Sequence, residues 1–234
     1  MSAYAYTDAE RLSLSDTGLT KTHDEAPPSA ASPGLYRAFG KRLIDILLVL
    51  VTAPAVLLVM LPMMLLVACD GSSPFYTQMR VGRHGRVYRM WKLRSMVPDA
   101  DARLKAHLDG DAEARAEWDH HQKLKNDPRI TRVGRVLRKC SLDELPQLWN
   151  VLRGDMSLVG PRPMMVSQRD FYPARDYYDL RPGITGLWQV SARNETGFAE
   201  RAQFDTAYNR RFSLGQDLKI LVATVGVVLR GTGH

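Results

Sequence analysis

The sequence predicts an α+β protein, mostly helical, in which a re-entrant membrane hairpin of helix-break-helix form precedes a cytoplasmic domain with a small β-hairpin. Three observations favour this fold class: a long apolar run, a strand-turn-strand pattern, and helical patterns in much of the remainder. The 234 residues suit one domain with extensions. We divide the chain into an arm at 1–34, a membrane segment at 35–70 and a cytoplasmic domain at 71–234.

Composition narrows the classes of partner. The formal net charge is +7, which favours an anionic partner such as a phosphorylated substrate, an anionic lipid or a nucleic acid. The two cysteines, Cys69 and Cys140, cannot form a disulfide framework, so we expect reduced thiols on the cytoplasmic side. Residues 1–34 are rich in Ser, Ala, Pro and Asp without periodicity, and we expect them to be disordered.

The apolar run from Ile46 to Cys69 contains 24 residues without a charge. As a helix it would be ~36 Å long, against a hydrocarbon core of ~30 Å, so a simple span is one interpretation. Pro54 and Pro62 favour a break instead, because an interior proline removes a backbone hydrogen bond. Positive charge marks the cytoplasmic side of a membrane, and here it flanks both ends of the run. We therefore favour a hairpin that enters and leaves on one face. The flanking basic residues are Arg37, Lys41, Arg42, Arg80, Arg83, Arg86, Arg89, Lys92 and Arg94.

The domain after the run has its own elements. Aromatic and β-branched residues at 75–94, interrupted by Gly82 and Gly85, predict a β-hairpin. Residues 99–124 predict one or two solvated helices, and 141–152 a short helix. The apolar run at 218–229 is too short to span a membrane, so we expect a core helix or an interfacial one.

Asp143 and Glu144 are the first candidates for chemistry. Ser141 and Glu144 have capping-box spacing, which predicts a helix start at Ser141, although Pro146 could mark a start nearer Leu145. In either case the acidic pair lies at a helix N-terminus, where it could simply cap the helix. An ionised aspartate is also a competent nucleophile toward phosphorus, and paired carboxylates can bind Mg²⁺.

Two further segments contain an arginine beside proline. Arg162 stands between Pro161 and Pro163, which restrict the backbone and so could fix a guanidinium for phosphate recognition. Arg181 precedes Pro182 in a second turn-rich segment, and we also assign it to phosphate binding. An ordinary surface loop would have the same composition.

These segments together resemble the bacterial sugar transferases, or monotopic phosphoglycosyl transferases, and most closely their short exopolysaccharide-initiating members. The resemblance extends from about residue 41 to residue 234, and the order of its motifs is more specific than any one of them. The motifs are Lys92–Met96, Asp127–Gly134, Ser141–Gln147, Val159–Pro163 and Arg181–Gly186.

The resemblance implies a mechanism. Asp143 would attack the sugar-bearing phosphate of a UDP-sugar, expel UMP and hold the sugar phosphate covalently until undecaprenyl phosphate takes it. Glu144 would place Mg²⁺ or orient the aspartate. The sugar would be galactose or glucose.

The resemblance also implies the surroundings of this reaction. The phosphates would meet a set of basic side chains, and the pair Asp143 and Glu144 would hold Mg²⁺. We expect the catalytic domain on the cytoplasmic face of the inner membrane, a homodimer, and no nucleic acid. The expected phosphate-binding residues are Lys92, Arg94, Arg138, Arg162 and Arg181.

One departure and two alternatives remain. The family often has a Ser-Pro break in its membrane helix, where this chain has Ala53-Pro54. This chain also shows no multi-span region of the kind that larger relatives have, so we expect a minimal catalytic unit. A glycosyltransferase with an Asp-x-Asp metal site is one alternative, at residues 99–101 or 109–111. The other is a membrane-anchored basic module that binds nucleic acid or anionic lipid, using the arginines around Gly82 and Gly85.

Overall fold

The computed structural model describes residues 34–121, 124–191 and 198–229, so the arm expected to be disordered lies almost entirely outside the described residues. The described part is mostly helical with small sheets, which confirms the α+β composition. The helices are α1 (Lys41–Ala68), α2 (Ala100–Gly110), α3 (Ala112–His121), α4 (Arg132–Lys139), α5 (Gln147–Arg153), α6 (Asp176–Asp179), α7 (Leu187–Ser191), α8 (Phe198–Arg210) and α9 (Leu214–Leu229). The strands are β1 (Phe75–Val81), β2 (Val87–Leu93), β3 (Ser157–Val159), β4 (Met164–Met165) and β5 (Gly183–Thr185).

Helix α1 carries the apolar run. With the π-helical turn Tyr36–Gly40 before it, it is long and apolar enough to cross a membrane, by length and composition. The helix continues through Pro54 and Pro62, so the expected break is not confirmed. Two residues before Pro54, the Thr52 hydroxyl donates to the Leu48 carbonyl at 2.7 Å. Such bonds to the preceding turn often bend a helix.

Both ends of α1 pack against the same domain. Val49, toward its start, belongs to a core cluster with Tyr88 of β2, while Val67, near its end, packs in a cluster with Leu93 and Leu137. Most residues between these two contacts are exposed and apolar. The helix is therefore anchored at two points, and its middle part presents an uncovered apolar surface.

The first turn of α1 is anchored by buried charges. The Lys41 ammonium lies 3.0 Å from an Asp45 carboxylate oxygen and 2.9 Å from one of Asp217 on α9. Ser157 donates to Asp45 at 2.7 Å, and Tyr208 donates to Asp217 at 2.6 Å. These donors offset the desolvation of the carboxylates, so the group joins α1, β3, α8 and α9.

The predicted β-hairpin is confirmed. Strands β1 and β2 pair antiparallel from Phe75 opposite Leu93 to Val81 opposite Val87. The turn between them holds His84 at φ 58° and Gly85 at φ 74°, a conformation that glycine adopts without strain. Strand β4 adds to the other edge of β1, and β3 pairs with β5 in a separate parallel sheet.

The remaining predicted helices also form. Residues 100–121 form the two helices α2 and α3. The Asp111 side chain caps α3 by accepting hydrogen bonds from the backbone amides of Glu113 and Ala114. Helix α9 covers the run at 218–229 and has two apolar faces. Ile220 is buried in the core, whereas other apolar side chains of α9 are exposed, so α9 is both a core helix and an apolar surface. The exposed ones are Leu218, Val222, Val225 and Val228.

Candidate active site

Asp143 and Glu144 lie in a 3-10 turn, Leu142–Glu144, between α4 and α5. The predicted capping box is wrong: Ser141 takes a left-handed conformation (φ 55°) and its side chain caps nothing. The alternative start is the better one, because Pro146 precedes α5 and supplies the fixed φ of a helix start. The tight turn buries Asp143, which is 8% exposed, beside a more accessible Glu144.

Lys92 of β2 reaches this acidic pair. Its ammonium lies 2.8 Å from a Glu144 carboxylate oxygen and 3.8 Å from one of Asp143. The fully buried Asn150 connects β2 to α5, the helix that follows the acidic pair. The Trp91 amide donates to the Asn150 side-chain oxygen at 3.0 Å, and the Asn150 side-chain amide donates to the Arg89 carbonyl at 2.8 Å. A single amide thus replaces a strand neighbour on β2 and holds α5 against the hairpin.

The charges around Asp143 oppose one another. Burial raises the pKa of Asp143 above its ordinary value and is the largest effect. Lys92 and Arg138 lower the pKa of Asp143, whereas the neighbouring Glu144 raises it. Arg138 is itself partly buried, which lowers its pKa, and its Nε donates to the Ser95 hydroxyl at 2.8 Å. The carboxylate is therefore desolvated and balanced by two cations, a setting suited to a nucleophile.

The two arginine-proline segments lie side by side. Strands β3 and β5 pair parallel, with Ser157 opposite Gly183 and Val159 opposite Thr185. Their backbones come so close that a Cβ on Gly160 would lie 2.3 Å from the Arg181 carbonyl oxygen. Glycine is needed at this crossing, and the crossing fixes the start of the Pro161-Arg162-Pro163 segment.

Arg162 and Glu144 line one cavity. This cavity, which we call the polar cavity, is lined in part by Arg80, Lys92, Glu144, Gln147 and Arg162. The Arg162 guanidinium also lies 5.8 Å from the ring centre of Trp188. The backbone carbonyl of Arg162 accepts a hydrogen bond from the Arg201 guanidinium. Basic side chains from three separate segments therefore line one cavity with Glu144, and Lys92 also lies 3.8 Å from Asp143.

Arg80 also lines the polar cavity, although the sequence placed it only among the basic residues near the apolar run and not among the phosphate-binding candidates. Its guanidinium donates to the Gln78 side chain at 2.6 Å, while its buried Nε has no hydrogen-bond partner. Burial lowers the pKa of Arg80, and the positive charge of Arg162 lowers it further. Two like charges that repel across a cavity favour an anion between them. Strand alternation was the available signal, since the register puts Arg80 and Lys92 on one face of the hairpin.

The structure does not bring Arg94 to this cavity. The Arg94 guanidinium forms an ion pair with Asp70, with N–O distances of 2.6 and 2.7 Å, and donates to the Val67 and Ser73 carbonyls. All these partners lie at the end of α1 or directly after it. In this arrangement Arg94 attaches the end of the apolar helix to β2.

Arg181 also lies elsewhere. Its Nε donates to the Gly154 carbonyl at 3.0 Å, just after the C-terminus of α5, where cations are favoured by the helix dipole. It lines a small cavity with Arg37, Lys41 and Arg83, and the positive charges of Arg83 and Arg42 lower its pKa in addition to burial. Arg181 precedes a proline as Arg162 does. Because it lies directly before β5, which pairs with β3, its side chain contacts Gly154 and not the acidic pair.

Metal ligands are few in this region. Among residues 34–121, 124–191 and 198–229, His, Cys, Asp and Glu side chains form no group of three or more that could hold a metal. The pair Asp143 and Glu144 offers two carboxylates, which fits Mg²⁺, because this ion often takes one or two carboxylates and completes its shell with water and substrate phosphate. Cys69 and Cys140 are free thiols, as expected.

Known proteins are similar to this chain over most of its length. The family model for bacterial sugar transferases matches residues 36–231. A UDP-galactose-lipid carrier transferase of Erwinia amylovora is 49% identical over 201 residues, which are 83% of this chain and 41% of that protein. The exopolysaccharide production protein ExoY of Rhizobium meliloti is 41% identical over 225 residues, covering 89% of this chain and 98% of that protein.

A third relative is named for glucose instead of galactose. The UDP-glucose:undecaprenyl-phosphate glucose-1-phosphate transferase of Caulobacter vibrioides is 39% identical over 217 residues, 86% of this chain and 74% of that protein. The chain spans about two fifths of the length of the first curated relatives it matches. The family match covers most of the chain and includes every residue of the acidic pair and its basic neighbours, so the chain belongs to the bacterial sugar transferase family.

Proposed function

We propose that this protein transfers a hexose-1-phosphate from a UDP-sugar to undecaprenyl phosphate and releases UMP, as the first membrane step of exopolysaccharide synthesis. One observation carries the proposal: the buried Asp143 lies beside Lys92 and Arg138, next to a cavity lined by Arg80 and Arg162. Two anionic substrates have to meet in this reaction, so surplus positive charge around one desolvated carboxylate is the arrangement it needs.

The reaction proceeds in two displacements at one phosphorus atom. An Asp143 carboxylate oxygen attacks the sugar-bearing phosphorus of the UDP-sugar, and the bond to the bridging oxygen breaks as UMP leaves with the electron pair. A phosphate oxygen of undecaprenyl phosphate then attacks the same phosphorus and displaces Asp143 as a free carboxylate. The product is a polyprenyl diphosphate sugar, and the enzyme is restored without a net proton change at Asp143.

The basic residues have distinct parts in this proposal. Lys92, 3.8 Å from Asp143, keeps the nucleophile ionised and faces the incoming phosphate. Arg80 and Arg162 hold the diphosphate from the other side of the polar cavity. Asp143 and Glu144 would hold Mg²⁺ together with substrate phosphate, and the ion would offset charge on the departing UMP.

Product analysis tests the activity. We expect UMP release when purified enzyme, undecaprenyl phosphate and one of several UDP-sugars are combined, with galactose and glucose tested first. Acid-quenched enzyme should carry a hexose phosphate on the Asp143 peptide in mass spectra. Release of UDP would indicate a glycosyltransferase, and release of no nucleotide would indicate a binding module.

We also propose that α1 enters and leaves the membrane on the cytoplasmic face, with the catalytic domain and residues 1–34 on that side. Val49 and Val67 are separated by ~27 Å along a straight helix, whereas Tyr88 and Leu93, the β2 residues that share their core clusters, are five residues apart on one strand, ~17 Å. A bend near Pro54, aided by the Thr52 hydroxyl, would reconcile the two spacings.

Accessibility of the N-terminal arm tests this topology. Cysteine at Ser15, in a variant without Cys69 and Cys140, should resist a membrane-impermeant thiol reagent in intact spheroplasts and react after lysis. Prompt labelling of intact cells would show a true span. Cross-linking in native membranes would test the homodimer that the family implies.

A further inference from the structure

A second cavity, mostly apolar, begins beside the acidic pair. It has a volume of about 260 Å³ and contains Glu144 and Arg162, which it shares with the polar cavity. Beyond these two residues its walls are largely aliphatic, and they come from the turn at 140–145 and from α5, β5, α7 and α9. We call this cavity the apolar groove. Its aliphatic side chains include Leu145, Leu148, Ile184, Val190, Val227 and Val228.

The apolar groove continues onto an exposed surface. Val228 both lines the groove and is 42% exposed on α9. Farther along the same helix, Val225 and Val222 are 60% and 73% exposed. An apolar path therefore leads from Glu144 and Arg162 to an uncovered helix face, and uncovered apolar faces of this kind mark lipid or protein contacts.

We propose that the apolar groove binds the first isoprene units of the polyprenyl phosphate acceptor, with the phosphate group at Arg162. This proposal rests on the proposed function and names where its lipid substrate enters. A cavity of 150 Å³ admits benzene, so 260 Å³ accommodates roughly two five-carbon units. The ligand that fits is one with a phosphate at one end and a flexible aliphatic chain behind it.

Other ligands fit the groove less well. A uracil ring stacks on aromatic side chains and pairs its polar edge, but none of the described residues that line the groove is aromatic. Inorganic phosphate or free UMP would meet Arg162 and leave the aliphatic walls in contact with water. The acceptor uses both ends of the groove, which places its phosphate within reach of the sugar phosphate held at Asp143.

Cys140 provides a native probe, because it is an exposed free thiol in the wall of the groove. The experiment uses the Cys69→Ser enzyme in detergent and measures the alkylation rate of Cys140 by mass spectrometry. We expect isoprenyl, geranyl and undecaprenyl phosphate to slow alkylation progressively, by about tenfold or more for the longer chains. Equal protection by inorganic phosphate, protection by UMP alone, or no protection by any of them would each overturn the proposal.

A kinetic test uses a matched pair of variants on α9. Val228→Trp fills the mouth of the groove, whereas Val222→Trp is on the same helix, is exposed, and does not line the groove. Val228→Trp should raise the KM for undecaprenyl phosphate about tenfold or more, and Val222→Trp should not. Equal effects of both variants, or none, would overturn the groove assignment.

Exchange of labelled UMP into UDP-sugar, measured without lipid, separates the two proposals. This exchange needs Asp143 and the nucleotide site but no acceptor, so it reports the first displacement alone, and the control variant Val222→Trp should retain the wild-type rate. Absent exchange in the wild-type enzyme would contradict the covalent intermediate of the proposed function, and absent UMP release with lipid would contradict the transfer itself. Normal exchange with no dependence on chain length would contradict the groove alone.

Discussion

Replacing Lys92 with methionine removes the ammonium group that lies 2.8 Å from Glu144 and 3.8 Å from Asp143. At that second distance, and at an effective dielectric constant of ~20, the attraction to Asp143 is ~4 kcal/mol. The Lys92 side chain is 23% exposed, so solvent reduces this value to about half. A loss of ~2–3 kcal/mol corresponds to a roughly 10²-fold slower first displacement at neutral pH.

The loss of Lys92 also predicts the direction in which the pH dependence of the rate shifts. Without Lys92, burial and Glu144 still raise the pKa of Asp143, and one of the two cations that lower it is gone. The pKa of Asp143 therefore rises further, and the acid limb of the rate profile moves to higher pH. Raising the pH should recover part of the activity, because it restores the ionised nucleophile.

Rapid-quench measurement of UMP release in a single turnover, from acidic to alkaline pH, provides the assay. Lys92→Arg keeps a cation and should retain the wild-type limb. Lys105→Met is a matched control, because the Lys105 side chain is 82% exposed. A Lys92→Met enzyme with an unchanged acid limb would refute the assignment of Lys92 as the cation that holds Asp143 ionised.

Three further predictions follow from the described contacts. Asp143→Asn should abolish the covalent adduct and lower activity by ~10³-fold or more, yet raise the unfolding temperature at pH 7. Burial raises the folded-state pKa of Asp143, so the ionised carboxylate destabilises the wild-type fold above that pKa. The difference in unfolding temperature between the variant and the wild type should therefore vanish in acid. A lower unfolding temperature for the variant at pH 7 would contradict this. EDTA should stop UMP release and added Mg²⁺ restore it, whereas full turnover in EDTA would exclude the ion. Lys41→Met should destabilise the protein by ~3–5 kcal/mol, or about 6–20 °C in detergent, because it strands Asp45 and Asp217. Adding Asp217→Asn should recover part of that loss, and an unaltered melting temperature for Lys41→Met would count against a buried charge group.

The sequence predicted well those elements whose structure is determined by residues within the element itself. The β-hairpin follows from alternating strand formers around Gly82 and Gly85, and the two polar helices from their spacing. Ser141 shows the limit of such patterns, because capping-box spacing predicts nothing about a residue that takes a left-handed conformation. Pro146 carried the better signal, since its ring fixes the backbone whatever surrounds it.

Positions set by long-range packing were harder to predict. Arg162 and Arg181 have the same local pattern, yet the parallel pairing of β3 with β5 sends only Arg162 to the acidic pair. Lys92 and Arg94 belong to one motif, but Asp70 engages the second. Arg80 becomes visible only when the register of the hairpin is known. A single sequence shows each of these residues but not which distant residues they contact, and those contacts determine which basic side chains reach the site.

The buried charge group at the start of α1 has a consequence for how the protein is made. Lys41 and Asp45 are one helical turn apart, so they neutralise each other as soon as the ribosome has released that turn. Asp217 is on the last described helix and is synthesised long afterwards. The start of α1 can therefore form as a helical turn whose charges are already paired, but its contact with α9 becomes available only after α9 has been synthesised. The two contacts of Lys41 are thus ordered in time: the pair with Asp45 can form first, and the contact with Asp217 can form only after α9 has been synthesised.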